Sequence, residues 1–149
     1  MTNFEPMDLA ERCAEALFSR DLASRSLGME LLSVAPGSAK VSMPVRADMI
    51  QGHGTCHGGF IFSLADSAFA VACNSYNEAS IGMACSIDYI SPARRADVLT
   101  AVCIEKDRGG RTGHYDVRVE NQSGQLIALF HGKSYKVKGS VLAQENSHD

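Results

Sequence analysis

Gly58 and Gly59 stand side by side, and a carboxylate, Asp66, follows eight residues after the first of them. The residues around that carboxylate, Phe60-Ile61-Phe62, Leu64-Ala65 and Ala68-Phe69-Ala70-Val71-Ala72, are all apolar. A run of this kind at helical length predicts a helix that is greasy on nearly every side and therefore buried. A carboxylate two turns inside a buried helix loses solvation that only a partner or a chemical task justifies. The start of the same helix presents backbone N–H groups with no intrahelical acceptor, at the positive end of the macrodipole. Glycine there lets a carbonyl approach the backbone closely. Together these features read as a hole for a developing oxyanion and the group that generates it. One such donor is worth roughly 3–4 kcal/mol in acyl-transfer sites.

Asp66 suits two roles. Desolvation raises the proton affinity of a carboxylate and makes it a general base near neutral pH, or its oxygen attacks a carbonyl directly and forms a mixed anhydride. Ser63, Asp66, Ser67 and Asn74 share one helix face and make a narrow polar stripe. The stripe either faces a solvated crevice or lines a site, in which Ser63 and Ser67 contact substrate. By itself a Gly-Gly pair also fits a simple turn. The donors His53, Cys56 and His57 lack a fourth partner and a standard zinc spacing, so no metal is expected. A Cys56–His57 nucleophile pair needs an orientation that sequence neighbours rarely reach. His57 is expected to orient the loop or to contact a carbonyl or a water, and His53 to hold the loop.

These residues need elements to position them. Leu9, Cys13, Ala16 and Leu17 recur at helical spacing and predict a helix over 6–20, with a further turn at 23–27. Strands are expected at 27–35 and 40–45 around Pro36-Gly37, then a loop over 46–56 and the central helix over 58–74. Four more strands, 81–90, 98–106, 112–121 and 125–137, are separated by Ser91-Pro92, Gly109-Gly110 and Ser123-Gly124. Tyr115, Val117 and Val119 alternate with His114, Asp116, Arg118 and Glu120, as in a strand with one buried face. The expected fold is α+β, a curved antiparallel sheet wrapped around one long central helix. It forms a single domain over 1–149, with a helical segment at 1–26 and a loose polar tail at 140–149. Open sheet edges make pairing with a second copy plausible.

The 149 residues are 45% hydrophobic and 21% charged, as in an ordinary globular domain. The net charge of −3 supplies no basic footprint for nucleic acid. No segment is apolar enough to span a bilayer, and the first residues lack a basic-then-apolar leader, so no membrane association and a cytoplasmic address are expected. Five scattered cysteines read as free thiols of a reducing compartment.

Gly52-His53-Gly54-Thr55-Cys56-His57-Gly58-Gly59, running into Phe62-Ser63-Leu64-Ala65-Asp66, resembles the hotdog-fold acyl-CoA thioesterases, in particular the PaaI-type phenylacetic acid degradation group. Ala72-Cys73-Asn74-Ser75, Ile87-Asp88-Tyr89-Ile90-Ser91-Pro92, Gly113-His114-Tyr115-Asp116 and Gly132-Lys133-Ser134 extend the similarity over most of the chain. The resemblance implies a hotdog fold, dimers with shared active sites, and often tetramers. It implies hydrolysis of acyl-CoA thioesters, aryl-acetyl groups included, without a cofactor. Asp66 then drives the attack, the Gly58 N–H polarises the carbonyl with His57 beside it, and Gly59 adjoins the substrate. Gln51 stands where many relatives carry Asn. A Ser or Thr early in the strand after the helix often holds the attacking water, for which Ser80 and Ser86 are candidates.

A CoA-sized ligand also needs cations for its phosphates. Arg108-Gly109-Gly110-Arg111-Thr112 forms a basic hairpin tip, and Lys133-Ser134 lies beside it if the pairing is antiparallel. Lys136, Lys138, Arg94 and Arg95 add further positive charge. Two other functions fit the same residues: a hotdog hydratase using His57 and Asp66 as an acid–base pair, and a non-catalytic acyl-CoA-binding subunit.

Overall fold

The computed structural model describes residues 3–143. The chain runs through helices α1 (Pro6–Arg20) and α2 (Leu22–Ser26), then strands β1 (Glu30–Ala35) and β2 (Ser38–Pro44). A single 3-10 turn, Ala47–Met49, precedes the central helix α3 (Gly58–Cys73). Strands β3 (Ser80–Tyr89), β4 (Val98–Gly109), β5 (Thr112–Glu120) and β6 (Leu126–Lys136) complete the fold. The six strands form one sheet in the order β1-β2-β4-β5-β6-β3, and every neighbouring pair is antiparallel. This is the α+β arrangement expected: α3 touches all six strands.

The apolar run of α3 explains that enclosure. Leu64, Ala65, Ala68 and Ala72 are completely buried. The sheet meets them with alternate residues, Ala39, Val41 and Met43 from β2, Leu99, Ala101 and Cys103 from β4, and Tyr115, Val117 and Val119 from β5. Full burial of one such Leu or Val side chain contributes about 1.5–3 kcal/mol. Phe69 sets how closely the helix approaches. A Cβ added at Gly132 would lie 2.9 Å from three atoms of its ring, and one at Gly82 would lie 3.1 Å away. The absent side chains on β6 and β3 thus make the bed for the ring, which Tyr115 and Phe130 flank at centroid distances of 5.5 and 5.9 Å.

Both ends of α3 are clamped. At its start the His57 side chain accepts the Gly59 N–H at 3.0 Å. At its end Asn74 lines the same cavity as Asp66, as the polar stripe implies, and its side chain also braces the fold. Its amide donates to Ala70 O at 2.8 Å and Ser80 O at 3.1 Å, and its carbonyl accepts the Ser80 N–H at 2.9 Å. It ties the last turn of the helix to the first residue of β3.

Two expectations change. The first strand begins at Glu30 rather than 27, because Leu27 caps α2 and Gly28 turns the chain at φ +74°. The tail is not loose from residue 140: Val141 is buried, its carbonyl accepts from Arg20 at 3.1 Å, and the Leu142 N–H meets Asn77 at 2.8 Å. Residues 144–149 of that tail lie outside the described residues. All five cysteines are free; Cys13, Cys56, Cys73 and Cys103 are buried and Cys85 is exposed. The α1 stripe that packs inward is Ala10, Cys13 and Ala14.

Close packing of Phe69 on glycine gives a stability prediction. Gly132→Ala should destabilise the protein by about 1–3 kcal/mol through overpacking. Gly109→Ala, whose added Cβ meets nothing within 4 Å, serves as the control. Thermal or urea unfolding of both variants measures the difference, and equal stability of the two would contradict this packing role.

Candidate active site

Asp66 projects from the middle of α3 into a cavity of about 410 Å³ whose lining includes Leu17, Asp21, Phe69, Ser80 and Gly82. Its side chain is half-buried within one chain. Burial first, and the negative charge of Asp21 second, raise its proton affinity above that of an ordinary aspartate. Among the described residues no donor is hydrogen-bonded to its carboxylate, so its lone pairs stay open to the cavity. Of the two serine candidates, Ser80 shares this cavity. Ser86 lies in a groove on the opposite, outer face of the sheet, with Asp88 and His131.

The glycine pair divides its work. His57 is extended, at φ −60° and ψ 131°, and Gly58 is the first helical residue. The Gly59 N–H is taken by His57 Nδ1, and the Phe60 N–H by the His57 carbonyl at 3.0 Å. Among the described residues nothing accepts the Gly58 N–H, so Gly58 is the free donor and Gly59 serves the cap. With Nδ1 accepting, the neutral His57 ring carries its proton on Nε2, as a second donor at the helix start. A residue that sequence reasoning missed completes this end. Tyr89 donates its hydroxyl to Gly58 O at 2.9 Å, and a Cβ at Gly58 would lie 2.9 Å from its ring. Its register at the end of β3, opposite Ala128, gave no local signal of that contact.

Gln51 braces its own loop. Its Nε2 donates to Thr55 Oγ1 at 2.8 Å and its Oε1 accepts the His53 N–H. The Ser63 and Ser67 hydroxyls donate back along the helix, to Gly59 O at 2.9 Å and Ser63 O at 2.8 Å. Gly58 and Asp66 are eight residues apart on one straight helix, about 12 Å along its axis. A single protomer therefore does not bring the donor and the carboxylate to one carbonyl.

The basic residues separate by strand face. Arg108 stacks on Tyr76 with its guanidinium carbon 3.6 Å from the ring centroid and pairs with Glu78 at 2.7 Å, as does Lys136. Arg111 is exposed at the β4–β5 tip and, among the described residues, makes no ion pair. Thr112 is half-buried opposite Gly109. Lys133 lies half-buried beside His114, whereas Ser134 is buried at 5% exposure against Gly113. Adjacent strand residues point to opposite faces. Lys133 and Ser134 therefore cannot share one phosphate, and the Ser134 hydroxyl leaves the expected set.

Residues 53–128 match the thioesterase superfamily. An Escherichia coli protein named acyl-coenzyme A thioesterase PaaI is 42% identical over 131 residues, covering 88% of this chain and 94% of that protein. The structure of E. coli PaaI, from the phenylacetic acid degradation operon, superposes with a TM-score of 0.90 at 41% identity, over 91% of this chain and 99% of that one. A Streptococcus mutans protein solved bound to acetyl-CoA is 25% identical and superposes with a TM-score of 0.72, over 75% of this chain and 90% of that one. With its six-stranded antiparallel sheet closed around α3, this chain belongs to the thioesterase superfamily as a hotdog-fold member.

Proposed function

We propose that this protein is an acyl-CoA thioesterase that hydrolyses aryl-acetyl and related acyl-CoA esters to the free acid and CoA, at sites shared between two subunits. The E. coli relative named for that activity supports the reaction. The acetyl-CoA bound to the S. mutans relative supports the ligand class. One observation carries the chemistry: an open, proton-avid carboxylate and a free helix-start N–H lie on the same helix, too far apart to serve one carbonyl within a protomer.

A second copy resolves that distance. β3 is an edge strand, and Ile81, Met83 and Tyr89 on it and Ile90 just beyond are about half exposed. A long apolar edge invites strand pairing. The Asp66 cavity runs along this edge through Ser80, Ile81 and Gly82, and Tyr89 at its far end touches Gly58. Two-fold pairing along β3 would set the Asp66 of one subunit against the Gly58 of the other. The outer sheet face, where Ile104 and Leu129 are exposed around a groove of about 440 Å³, is a surface on which two dimers could meet as a tetramer.

In this reading the thioester carbonyl oxygen points at the Gly58 N–H, with His57 Nε2–H beside it. Asp66 takes a proton from water while the water oxygen bonds to the carbonyl carbon. The oxyanion is held by the helix start. Its collapse breaks the C–S bond, and the proton passes to the departing thiolate. These groups suffice without a metal or a redox cofactor. Arg111 is the cation available to CoA phosphate at the hairpin tip, with Lys133 on the neighbouring strand. Leu17, Phe69 and Ile81 give the cavity apolar walls for an aromatic acyl group. No helix among the described residues is long and apolar enough to cross a membrane, and the free thiols suit the cytoplasm.

Asp66→Asn should lower hydrolysis of phenylacetyl-CoA by about a hundredfold or more while binding of the ester persists. Release of free thiol, followed with a thiol-reactive dye, reads the rate and excludes a hydratase, which liberates none. Binding without thiol release across an acyl-CoA panel would make the protein a binding subunit, and a near-parental rate for the variant would remove Asp66 from the mechanism.

The raised proton affinity of Asp66 sets a pH dependence. Its protonated form cannot accept from water, so kcat/KM should fall as pH drops through a midpoint above the ordinary aspartate value of about 3.9. A midpoint at or below that value in a pH–rate profile would contradict a desolvated base.

A further inference from the structure

Asp21 sits at the junction of α1 and α2, where it caps α2. One of its carboxylate oxygens accepts the Ser24 N–H at 2.9 Å, and the other accepts the Ser24 hydroxyl. Ser24 is 4% exposed, and its Oγ lies 2.8 Å from Ser67 Oγ. Ser24 gives its proton to Asp21, so the two hydroxyls bond only when Ser67 turns its single proton from Ser63 O to Ser24 Oγ. Ser67 is the residue after Asp66. The Asp21–Ser24 hydrogen bonds and the 2.8 Å contact between the Ser24 and Ser67 hydroxyls set the α1–α2 junction against the helix that carries the proposed base. Asp21 and Asp66 also line the same cavity.

The cap does not require a charge. Asn or Ser at that position would satisfy the Ser24 N–H about as well. A carboxylate does something these cannot: it places a negative charge on the wall of the Asp66 cavity. The other charged side chain on this wall is Arg20, which is exposed and donates to Val141 O at 3.1 Å rather than to either carboxylate, so solvent screens its charge. The Cys73 thiol, which α3 itself supplies, is pushed up to about 12 by burial and so stays neutral. Burial also raises the Cys85 thiol on β3, which remains neutral at physiological pH. The cavity residues that β3 contributes, Ser80, Ile81 and Gly82, carry no charge.

We propose that Asp21 is a positioning residue for the hydrolysis, a second, non-reacting carboxylate that tunes Asp66 across their shared cavity. This rests on Asp66 being the base. Like charges in one site disfavour joint ionisation, so Asp21 makes Asp66 hold a proton more strongly and act as a stronger base once ionised. The effect of burial on Asp66 is the larger, and that of Asp21 adds to it in the same direction. The N-terminal helical segment thus contributes to catalysis without touching the reacting atoms.

The test is the pH–rate profile of Asp21→Asn, which keeps the cap and removes the charge. The acid limb of kcat/KM should move down by about half a pH unit, so the variant retains about threefold more of its plateau activity on the acid side. Asp21→Glu, which restores the charge, should move the limb back toward the parent. Should the Asn variant not fold, Asp21→Ser carries the same charge change on an equally good cap. A limb that coincides with the parent or moves upward would overturn the proposal, as would loss of activity at every pH in a folded variant, since removing a tuning charge leaves the base in place. Asp66→Asn, measured alongside, separates the two claims. If it stays active, the assignment of the base fails. If it is inactive and Asp21→Asn leaves the limb unmoved, only the role of Asp21 fails.

Discussion

Enclosure of α3 by the concave face of the sheet is the constraint from which the other features follow. A helix whose Leu64, Ala65, Ala68 and Ala72 are all fully buried keeps only the face of Gly59, Ser63, Asp66 and Ala70 partly open. The sheet curves until β1 through β6 all reach it. Phe69 lies closest to the strands, and the only way to seat its ring is to omit the side chains at Gly132 and Gly82. The same omission leaves space beside β3, and Asp66 opens into the cavity there. A rigid core and an open carboxylate are thus outcomes of one packing arrangement.

That rigidity also limits what one protomer can do. An α-helix does not shorten, so the free N–H at Gly58 and the carboxylate at Asp66 keep a separation of about 12 Å. Catalysis on one carbonyl needs both groups within contact of it. The exposed apolar edge at β3 lies against both ends of the problem, since Ile81 borders the Asp66 cavity and Tyr89 rests on Gly58. The proposed dimer therefore answers two unmet demands at once: the unpaired strand edge and the divided site.

How much of this was legible in the residues depended on whether the signal was local. Periodicity located every strand and helix within a few residues, because alternation and apolar runs are local properties. The β5 pattern of buried Tyr115, Val117 and Val119 is the clearest case. The Gly-Gly start and Asp66 were visible for the same reason. What was hidden required tertiary contact. The resemblance singled out the Gly58 N–H as donor, but the physical reason, the His57 ring occupying only the Gly59 N–H, is a tertiary detail. Asn74 lines the cavity as its place in the polar stripe implied, but nothing local showed that its amide also locks α3 to β3. Ser134 followed a lysine in sequence, but the strand turned it inward. Tyr89 stood in a stretch that matched the family but carried no sign of its contact, and Asp21 had no motif at all, since their importance lies in what folds against them.

The central claim is that each site takes Asp66 from one subunit and the Gly58 N–H from the other. It is tested most directly by mixing two inactive proteins. Asp66→Asn removes the base. Gly58→Pro, made together with Tyr89→Ala to clear the ring that a Cβ there would meet at 2.9 Å, removes the N–H at a first helical position, where the extended His57 before it already suits proline. In a two-fold dimer of one of each, one site carries both defects and the other carries neither. Random reassociation should therefore restore roughly a quarter of the parental thiol-release rate. Activity that stays at the level of the separate variants, in mixtures shown to contain mixed dimers, would contradict a shared site.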